Sequence, residues 1–267
     1  MRCAVLGDPI AHSLSPVLHR AGYAAHGLDW EYDAALVPAG GLAGFVGPLG
    51  DDWRGLSVTA PLKREALLYA AASTGTAERA GAANTLVREA SGWVGENTDV
   101  PGAAAALRER VAAPPVVATI LGGGATAASA ALALCDLGVG SLTLLVRSPA
   151  RAADTLAAID RHPARPAVRV GSLATEPAVG DVVVSTIPAA AQTSDLVARC
   201  AEVPVVFDVL YDPWPTPLVT SAADRVVVGG LDLLVHQAVL QFELFTGRPA
   251  PLDEMRDAGA RALRERS

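Results

Sequence analysis

Val116-Val117-Ala118-Thr119-Ile120-Leu121-Gly122-Gly123-Gly124-Ala125 is an apolar run, introduced by Pro115, that opens into three glycines and then an alanine-rich stretch at 127–137. A buried strand, a glycine turn and a helix start, in that order, set a dinucleotide pyrophosphate on a helix N-terminus, where backbone N–H groups and the helix dipole both favour an anion. Gly122 and Gly124 occupy the glycine positions of such a turn, and the small Ala127 stands where a third glycine often lies. Glycine-rich turns of this kind also serve α/β proteins that bind no nucleotide, so the sequence downstream has to decide.

The next strand, 141–146, should end beside the adenosine ribose, where an NAD enzyme usually presents an acidic residue to the 2′-hydroxyl. No acid stands there. The chain reads Val146-Arg147-Ser148-Pro149-Ala150-Arg151, two guanidinium groups and a hydroxyl, which suit the charge and planar geometry of a 2′-phosphate. The bland alternative is a solvated loop carrying ordinary surface arginines.

The 267 residues are 51% hydrophobic and 18% charged, ample material for buried sheets in one large or two smaller domains. A net charge of −7 argues against a nucleic-acid or anionic-membrane surface, so anionic ligands must be met locally. Cys3, Cys135 and Cys200 are odd in number and far apart, which indicates neither a disulfide framework nor a zinc site and favours a reduced, cytoplasmic setting. His12, His19, His26, His162 and His236 form no ligand pattern, so no metal is expected. Met1-Arg2-Cys3-Ala4-Val5-Leu6 reaches Gly7-Asp8 after too short an apolar run for a secretory signal. The long apolar stretch 125–146 is broken by Asp136, Gly138 and Gly140, so it reads as helix, turn and strand rather than as a membrane span.

Short β-rich runs alternate with Ala/Leu-rich helical stretches, which predicts an α/β fold with mostly parallel sheets, at least two in number. Strands are expected at 3–6, 30–36, 55–59 and 85–88, and in a second group at 116–121, 142–146, 168–170, 182–185, 205–209 and 225–228. The division falls near Pro101-Gly102, followed by a helix at 103–110 and the Pro114-Pro115 break. This gives a domain at 102–230, Rossmann-like and doubly wound. The apolar helical spacing of 231–247 suggests a segment that returns to the first domain, making that domain discontinuous, 1–101 with 231–267. The Arg/Glu-rich end, 253–266, reads as a solvated surface helix.

Three segments carry chemistry. In Gly7-Asp8-Pro9-Ile10-Ala11-His12-Ser13-Leu14-Ser15-Pro16, Ser15 suits an N-cap and Pro16 the first helical position. With Ser13 nearby, two hydroxyls at a positive helix end would bind a small carboxylate. In Ser57-Val58-Thr59-Ala60-Pro61-Leu62-Lys63 a buried strand enters a helix and puts Lys63 in its first turn. The helix dipole repels a lysine there by about 0.3–1 kcal/mol, so its position favours function over scaffold. Gly81-Ala82-Ala83-Asn84-Thr85-Leu86 and Gly95-Glu96-Asn97-Thr98-Asp99 form a strand-turn-strand pair around Ser91-Gly92, with Asn84 and Asp99 returned to one edge. Asn and Asp are common turn formers, but a carboxylate able to pair with Lys63 supplies the orientation a lysine acid/base needs.

These segments, taken with Asp-Val-Leu-Tyr and Thr-Pro-Leu within 208–218 and Leu-Leu-Val-His-Gln-Ala at 233–238, resemble the shikimate dehydrogenase family over almost the full length. The resemblance implies a substrate domain followed by an NADP-binding domain, with reduction of 3-dehydroshikimate to shikimate between them. It implies that Lys63 and Asp99 are the catalytic pair. Ser13 and Ser15 would hold the substrate carboxylate, with Thr59, Asn84, Tyr211 and Gln237 completing the pocket. Gly122, Gly123, Gly124, Ala125, Thr126, Val146, Arg147, Ser148, Arg151, Val209 and Gly230 fall where the family contacts its cofactor. The chain departs from the family pattern at Ser57, where Asn is more frequent, in Gly122-Gly123-Gly124-Ala125-Thr126, at Val146, and at Asp232 and Leu233. Quinate or aminoshikimate dehydrogenases of the same family, and a non-catalytic NADP-binding sensor on the same fold, are the alternatives. A homodimer is compatible with the chain, and nothing in the sequence selects it.

Overall fold

The computed structural model describes residues 1–266. The chain divides into two compact units, one of Met1–Thr98 joined by the segment from Leu234 onward, the other Asp99–Leu233.

The first unit opens with β1 (Arg2–Gly7), α1 (Ser15–Ala25), β2 (Glu31–Leu36), α2 (Leu42–Val46) and β3 (Trp53–Val58). It continues through α3 (Lys63–Tyr69), β4 (Ala72–Ser73), α4 (Gly75–Ala80), β5 (Thr85–Glu89) and β6 (Gly92–Glu96). The strands form one sheet in the order β2-β1-β3-β5-β6-β4. β1 pairs parallel with β2 and β3, whereas β5 is antiparallel to both β3 and β6. The tight turn at Ser91-Gly92 explains the pairing of β5 with β6, since a short hairpin can join only antiparallel strands. One side of the sheet is packed with Leu6, Leu56, Val58, Leu62 and Leu86, all almost fully buried.

The second unit begins with α5 (Asp99–Arg110), β7 (Val117–Leu121), α6 (Ala125–Asp136), β8 (Ser141–Val146), α7 (Ala153–Asp160) and β9 (Ala167–Ser172). β10 (Val182–Ser185), α8 (Ser194–Arg199), β11 (Val205–Asp208), α9 (Pro217–Thr220) and β12 (Val226–Val228) follow. Its sheet is parallel throughout, in the order β12-β11-β10-β7-β8-β9. The chain winds outward from β7 in both directions, so the strand order reverses between β7 and β10. That reversal opens a crevice at the carboxyl ends of these two strands, where doubly wound sheets hold ligands.

Helix α10 (Gly230–Thr246) carries the chain out of the second unit into the first, and α11 (Leu252–Arg266) ends it. No helix among the described residues is long and apolar enough to cross a membrane.

Two sequence expectations fail here for identifiable reasons. The helix expected to start after Pro101-Gly102 instead runs from Asp99. Pro101 falls in its first turn, where the missing N–H has no intrahelical partner to lose. The terminal helix is also more than a solvated face: α11 buries Met255 and Ala258, and Met255 packs with Phe242 against Gly22 of α1. Its apolar positions are few, and Arg and Glu between them mask the stripe.

The first unit holds an aromatic cluster around His19, which is wholly buried. The imidazole stacks on Tyr32 with centroids 4.2 Å apart and planes 7° from parallel, and Phe245 lies 5.7 Å away. Burial holds the His19 pKa down, to about 3 from an ordinary 6.5. Between those values the unfolded chain takes up a proton that the folded one refuses, so this residue makes stability fall as pH drops through that window. The slope approaches ~1.4 kcal/mol per pH unit. Urea unfolding of the parent and of His19→Leu at about pH 4 and about pH 7 should show a distinctly flatter pH dependence in the variant, and equal dependence would refute this assignment.

Candidate active site

In the first unit the candidate residues gather at one edge of the sheet because neighbouring strand ends are stitched there by backbone bonds. The Thr59 N–H donates to the Leu6 carbonyl at 2.9 Å and the Val58 N–H to the Asn84 carbonyl at 2.7 Å. The Ala83 N–H donates to the Lys63 carbonyl at 2.8 Å. The ends of β1 and β3, the start of α3 and the residue preceding β5 therefore meet, carrying Thr59, Lys63 and Asn84 to a common edge. Lys63 is the first residue of α3 and is half-buried.

Ser13 and Ser15 lie just beyond the end of β1. Ser15 is not the N-cap the sequence suggested: α1 starts at Ser15 itself, and Leu14 holds the cap position in helical geometry with no cap bond from its side chain. The Ser15 N–H instead donates to Ser13 Oγ at 3.3 Å. Ser15 is 5% exposed.

Asn84 is 2% exposed and has every polar atom of its carboxamide engaged. Its Oδ1 accepts from the Thr98 N–H at 2.8 Å and from the Thr85 hydroxyl at 2.9 Å. Its Nδ2 donates to Thr98 Oγ1 at 2.9 Å and to Gln237 Oε1 at 3.4 Å. Two candidate residues 153 positions apart in sequence thus touch side chain to side chain. Gln237 Nε2 donates to the Leu234 carbonyl at 2.8 Å, which takes one of its two N–H bonds. Ser57 does not stand alone at its position. It accepts from the Tyr32 hydroxyl at 2.5 Å and donates to Gln241 Oε1 at 2.6 Å.

In the second unit Asp99 opens α5, where the helix dipole favours an acid, and it is 7% exposed. A cavity of about 370 Å³ lies at the reversal of strand order. Gly122, Gly123, Gly124, Val146, Arg147 and Arg151 line it. Ala125, Thr126, Ser148, Val209 and Gly230 are not among its lining residues. Gly122 has φ +114 and faces Thr186, and a Cβ on Gly123 would strike the Arg151 carbonyl. Backbone thus forms the floor of the cavity. Gly124 caps α6 with no side chain on its first N–H groups, leaving the donors that an anion needs. This cradle, with Arg147 and Arg151 exposed on its wall, offers an anion backbone N–H groups and two guanidinium groups.

Sequence reasoning missed several contributors. Thr186, Ile187 and Pro188 line the same cavity because β10 lies next to β7, and Thr186 Oγ1 donates to the Leu121 carbonyl at 2.8 Å. Only the strand order reveals that neighbour. Asp154 adds a carboxylate to the wall, three residues past the segment in which an acid was sought. Asp208, fully buried, accepts from Gln192 Nε2 at 2.7 Å, Thr216 Oγ1 at 2.8 Å and the Leu210 N–H at 3.1 Å. Burial raises its pKa while these donors oppose the rise. It fixes the loop bearing Val209 and Tyr211, and Gly230 lies against the backbone of Val209 and Leu210. Asp232, where the sequence departs from its family resemblance, pairs with Arg110 at 2.9 Å and accepts from the Gly229 N–H at 2.9 Å, a structural role at the start of α10.

Comparison with known proteins gives consistent results. Residues 5–86 match the shikimate dehydrogenase substrate binding domain, and residues 230–258 match the shikimate 5'-dehydrogenase C-terminal domain. The shikimate dehydrogenase (NADP(+)) of Moorella thermoacetica is 36% identical over 98% of this chain and 92% of its own. The crystal structure of Mycobacterium tuberculosis shikimate dehydrogenase superposes with a TM-score of 0.86 at 42% identity, covering 98% of this chain and 99% of that one. A shikimate 5-dehydrogenase from Thermus thermophilus, solved with NADP(H) and shikimate, gives a TM-score of 0.82 at 29% identity and the same coverage.

Proposed function

This chain belongs to the shikimate dehydrogenase family, and from that premise we propose that it interconverts 3-dehydroshikimate and shikimate with NADP(H) as its redox partner. The observation that carries the assignment of residues is the contact between Asn84 and Gln237 at the sheet edge that also bears Thr59 and Lys63.

The substrate carboxylate is assigned to Ser13 and Ser15, whose side chains lie at the start of α1, where the helix dipole favours an anion. Thr59, Asn84, Tyr211 and Gln237 are assigned to the ring hydroxyls; Gln237 Nε2 has a second N–H beyond the one given to the Leu234 carbonyl, and Asn84 sets the carboxamide that carries it. NADP, when bound, supplies and accepts the hydride, and Gly122 to Thr126, Val146 to Arg151, Val209 and Gly230 are the residues proposed to hold it. Arg147 and Arg151 give the 2′-phosphate its charge-assisted partners.

Reduction of a ketone leaves an oxygen that needs a proton. Lys63 donates that proton in the reducing direction and removes it in the oxidising one. Asp99 is proposed to orient the lysine and bond a ring hydroxyl. The buried thiols of Cys3, Cys135 and Cys200 form no disulfide and suit the reducing cytoplasm, the compartment proposed here. A homodimer is the assembly most in keeping with the preference of soluble oligomers for two-fold symmetry, and size-exclusion chromatography with light scattering reads it directly.

A steady-state comparison of shikimate and quinate, each with NADP and with NAD, tests the reading. The highest kcat/KM should belong to shikimate with NADP, by about tenfold or more over either single exchange. A higher value for quinate would move the assignment to quinate oxidation. Cofactor binding without turnover of either substrate would leave a sensor rather than an enzyme.

A further inference from the structure

The same sheet edge contains a buried polar chain whose centre is a residue without an assigned role. Gln241 sits one helical turn after Gln237 on α10 and is 1% exposed. Its Oε1 accepts from Ser57 Oγ at 2.6 Å, and Ser57 in turn accepts from the Tyr32 hydroxyl. Its Nε2 donates to Thr85 Oγ1 at 2.8 Å and to the Asn84 carbonyl at 3.2 Å. Thr85 then donates to Asn84 Oδ1, and Asn84 Nδ2 donates to Gln237 Oε1.

Direction is the informative property of this chain. The three hydroxyls of Tyr32, Ser57 and Thr85 can each donate or accept by rotation, whereas a carboxamide has its acceptor on one side and its donors on the other. Gln241 is the carboxamide among them. By accepting on the Ser57 side and donating on the Thr85 side, it aims the Thr85 proton at Asn84 Oδ1. Together with the Thr98 N–H, which donates to the same oxygen at 2.8 Å, this bond holds Asn84 with its nitrogen toward Gln237. A Thr85 hydroxyl released from Gln241 can rotate away, leaving the buried Asn84 Oδ1 with the Thr98 N–H alone and its carboxamide less firmly set.

We propose that Gln241 is a positioning residue for substrate binding: it polarises the hydrogen-bond chain that sets the carboxamides of Asn84 and Gln237, without itself touching the substrate. This rests on the assignment of Asn84 and Gln237 to the substrate pocket. Gln241→Met keeps length and apolar bulk and removes both polar ends; Thr85→Val removes the next link at nearly constant shape. Both variants are expected to raise KM for shikimate about tenfold, the equivalent of one misdirected hydrogen bond, with KM for NADP within about twofold of the parent. A merely structural role would lower the melting temperature and leave that ratio of KM values unchanged. An unchanged shikimate KM in folded Gln241→Met overturns the proposal, and if that variant does not fold, an unchanged KM in Thr85→Val does so. The side-chain amide resonances of Asn84 in ¹⁵N-labelled protein, assigned by their loss in Asn84→Asp, provide a readout independent of turnover. They should shift and exchange faster with solvent in either variant. Unaltered resonances would overturn the relay even if the enzyme proved to act on another substrate, while shifted resonances in a protein inactive on shikimate would fault only the assigned reaction.

Discussion

Lys63→Ala should lower kcat for shikimate oxidation by roughly 10²–10⁴, the usual contribution of a positioned acid/base, with a smaller change in KM. The substitution should be mild for the fold. Lys63 is half-buried at the first position of α3, where alanine is a better helix former and the helix dipole no longer opposes a cation. A loss of activity in a variant that melts at the parental temperature therefore reports chemistry. Asp99→Asn should lower kcat and raise KM together, since one carboxylate is assigned both the lysine and a ring hydroxyl. The decisive measurement is kcat of folded Lys63→Ala at saturating shikimate and NADP. A value within about threefold of the parent, under ~0.7 kcal/mol of barrier, would show that the proton is handled elsewhere.

Arg147→Asp is expected to abolish the preference for NADP, shifting the ratio of kcat/KM for NADP and NAD by about a hundredfold. A hydrogen bond to a charged group contributes ~1.5–3 kcal/mol. Arg147 is exposed, so solvent screening puts its share near the lower figure, and the new carboxylate adds repulsion of the 2′-phosphate. Asp154 already lines the same cavity, so the variant places two acids on its wall and should bind NAD at least as well as the parent. Equal losses for the two cofactors would mean that Arg147 supports the loop rather than reads the phosphate.

The features legible in the sequence are those set by local pattern. The glycine turn after β7 and the placement of Lys63 at the start of α3 follow from strand and helix periodicity within about ten residues of each position. Ser15 misled for a local reason too: Ser-Pro is a good cap signal, but Leu14 adopts helical geometry and the helix begins one residue early. The rest depends on partners far along the chain. Thr186 reaches the cavity only because β10 lies beside β7, an order that periodicity does not encode. Gln241 reads as one more residue on a helix face, yet its bonds span 156 residues to Thr85 and 184 to Ser57. A buried glutamine announces itself only when its partners are known.

The discontinuity of the first unit bears on how the protein is made. Ribosomal synthesis releases Asp99–Leu233 as an uninterrupted stretch, so the parallel sheet can close while the chain is still growing. The other unit has to wait. Until the segment from Leu234 onward emerges, Ser57 and Thr85 lack Gln241, and Gly22 lacks the cover of Phe242 and Met255. A nascent chain stalled before this segment should be sensitive to protease in its first hundred residues and resistant through the middle. Release of the last thirty or so residues should then protect both ends together.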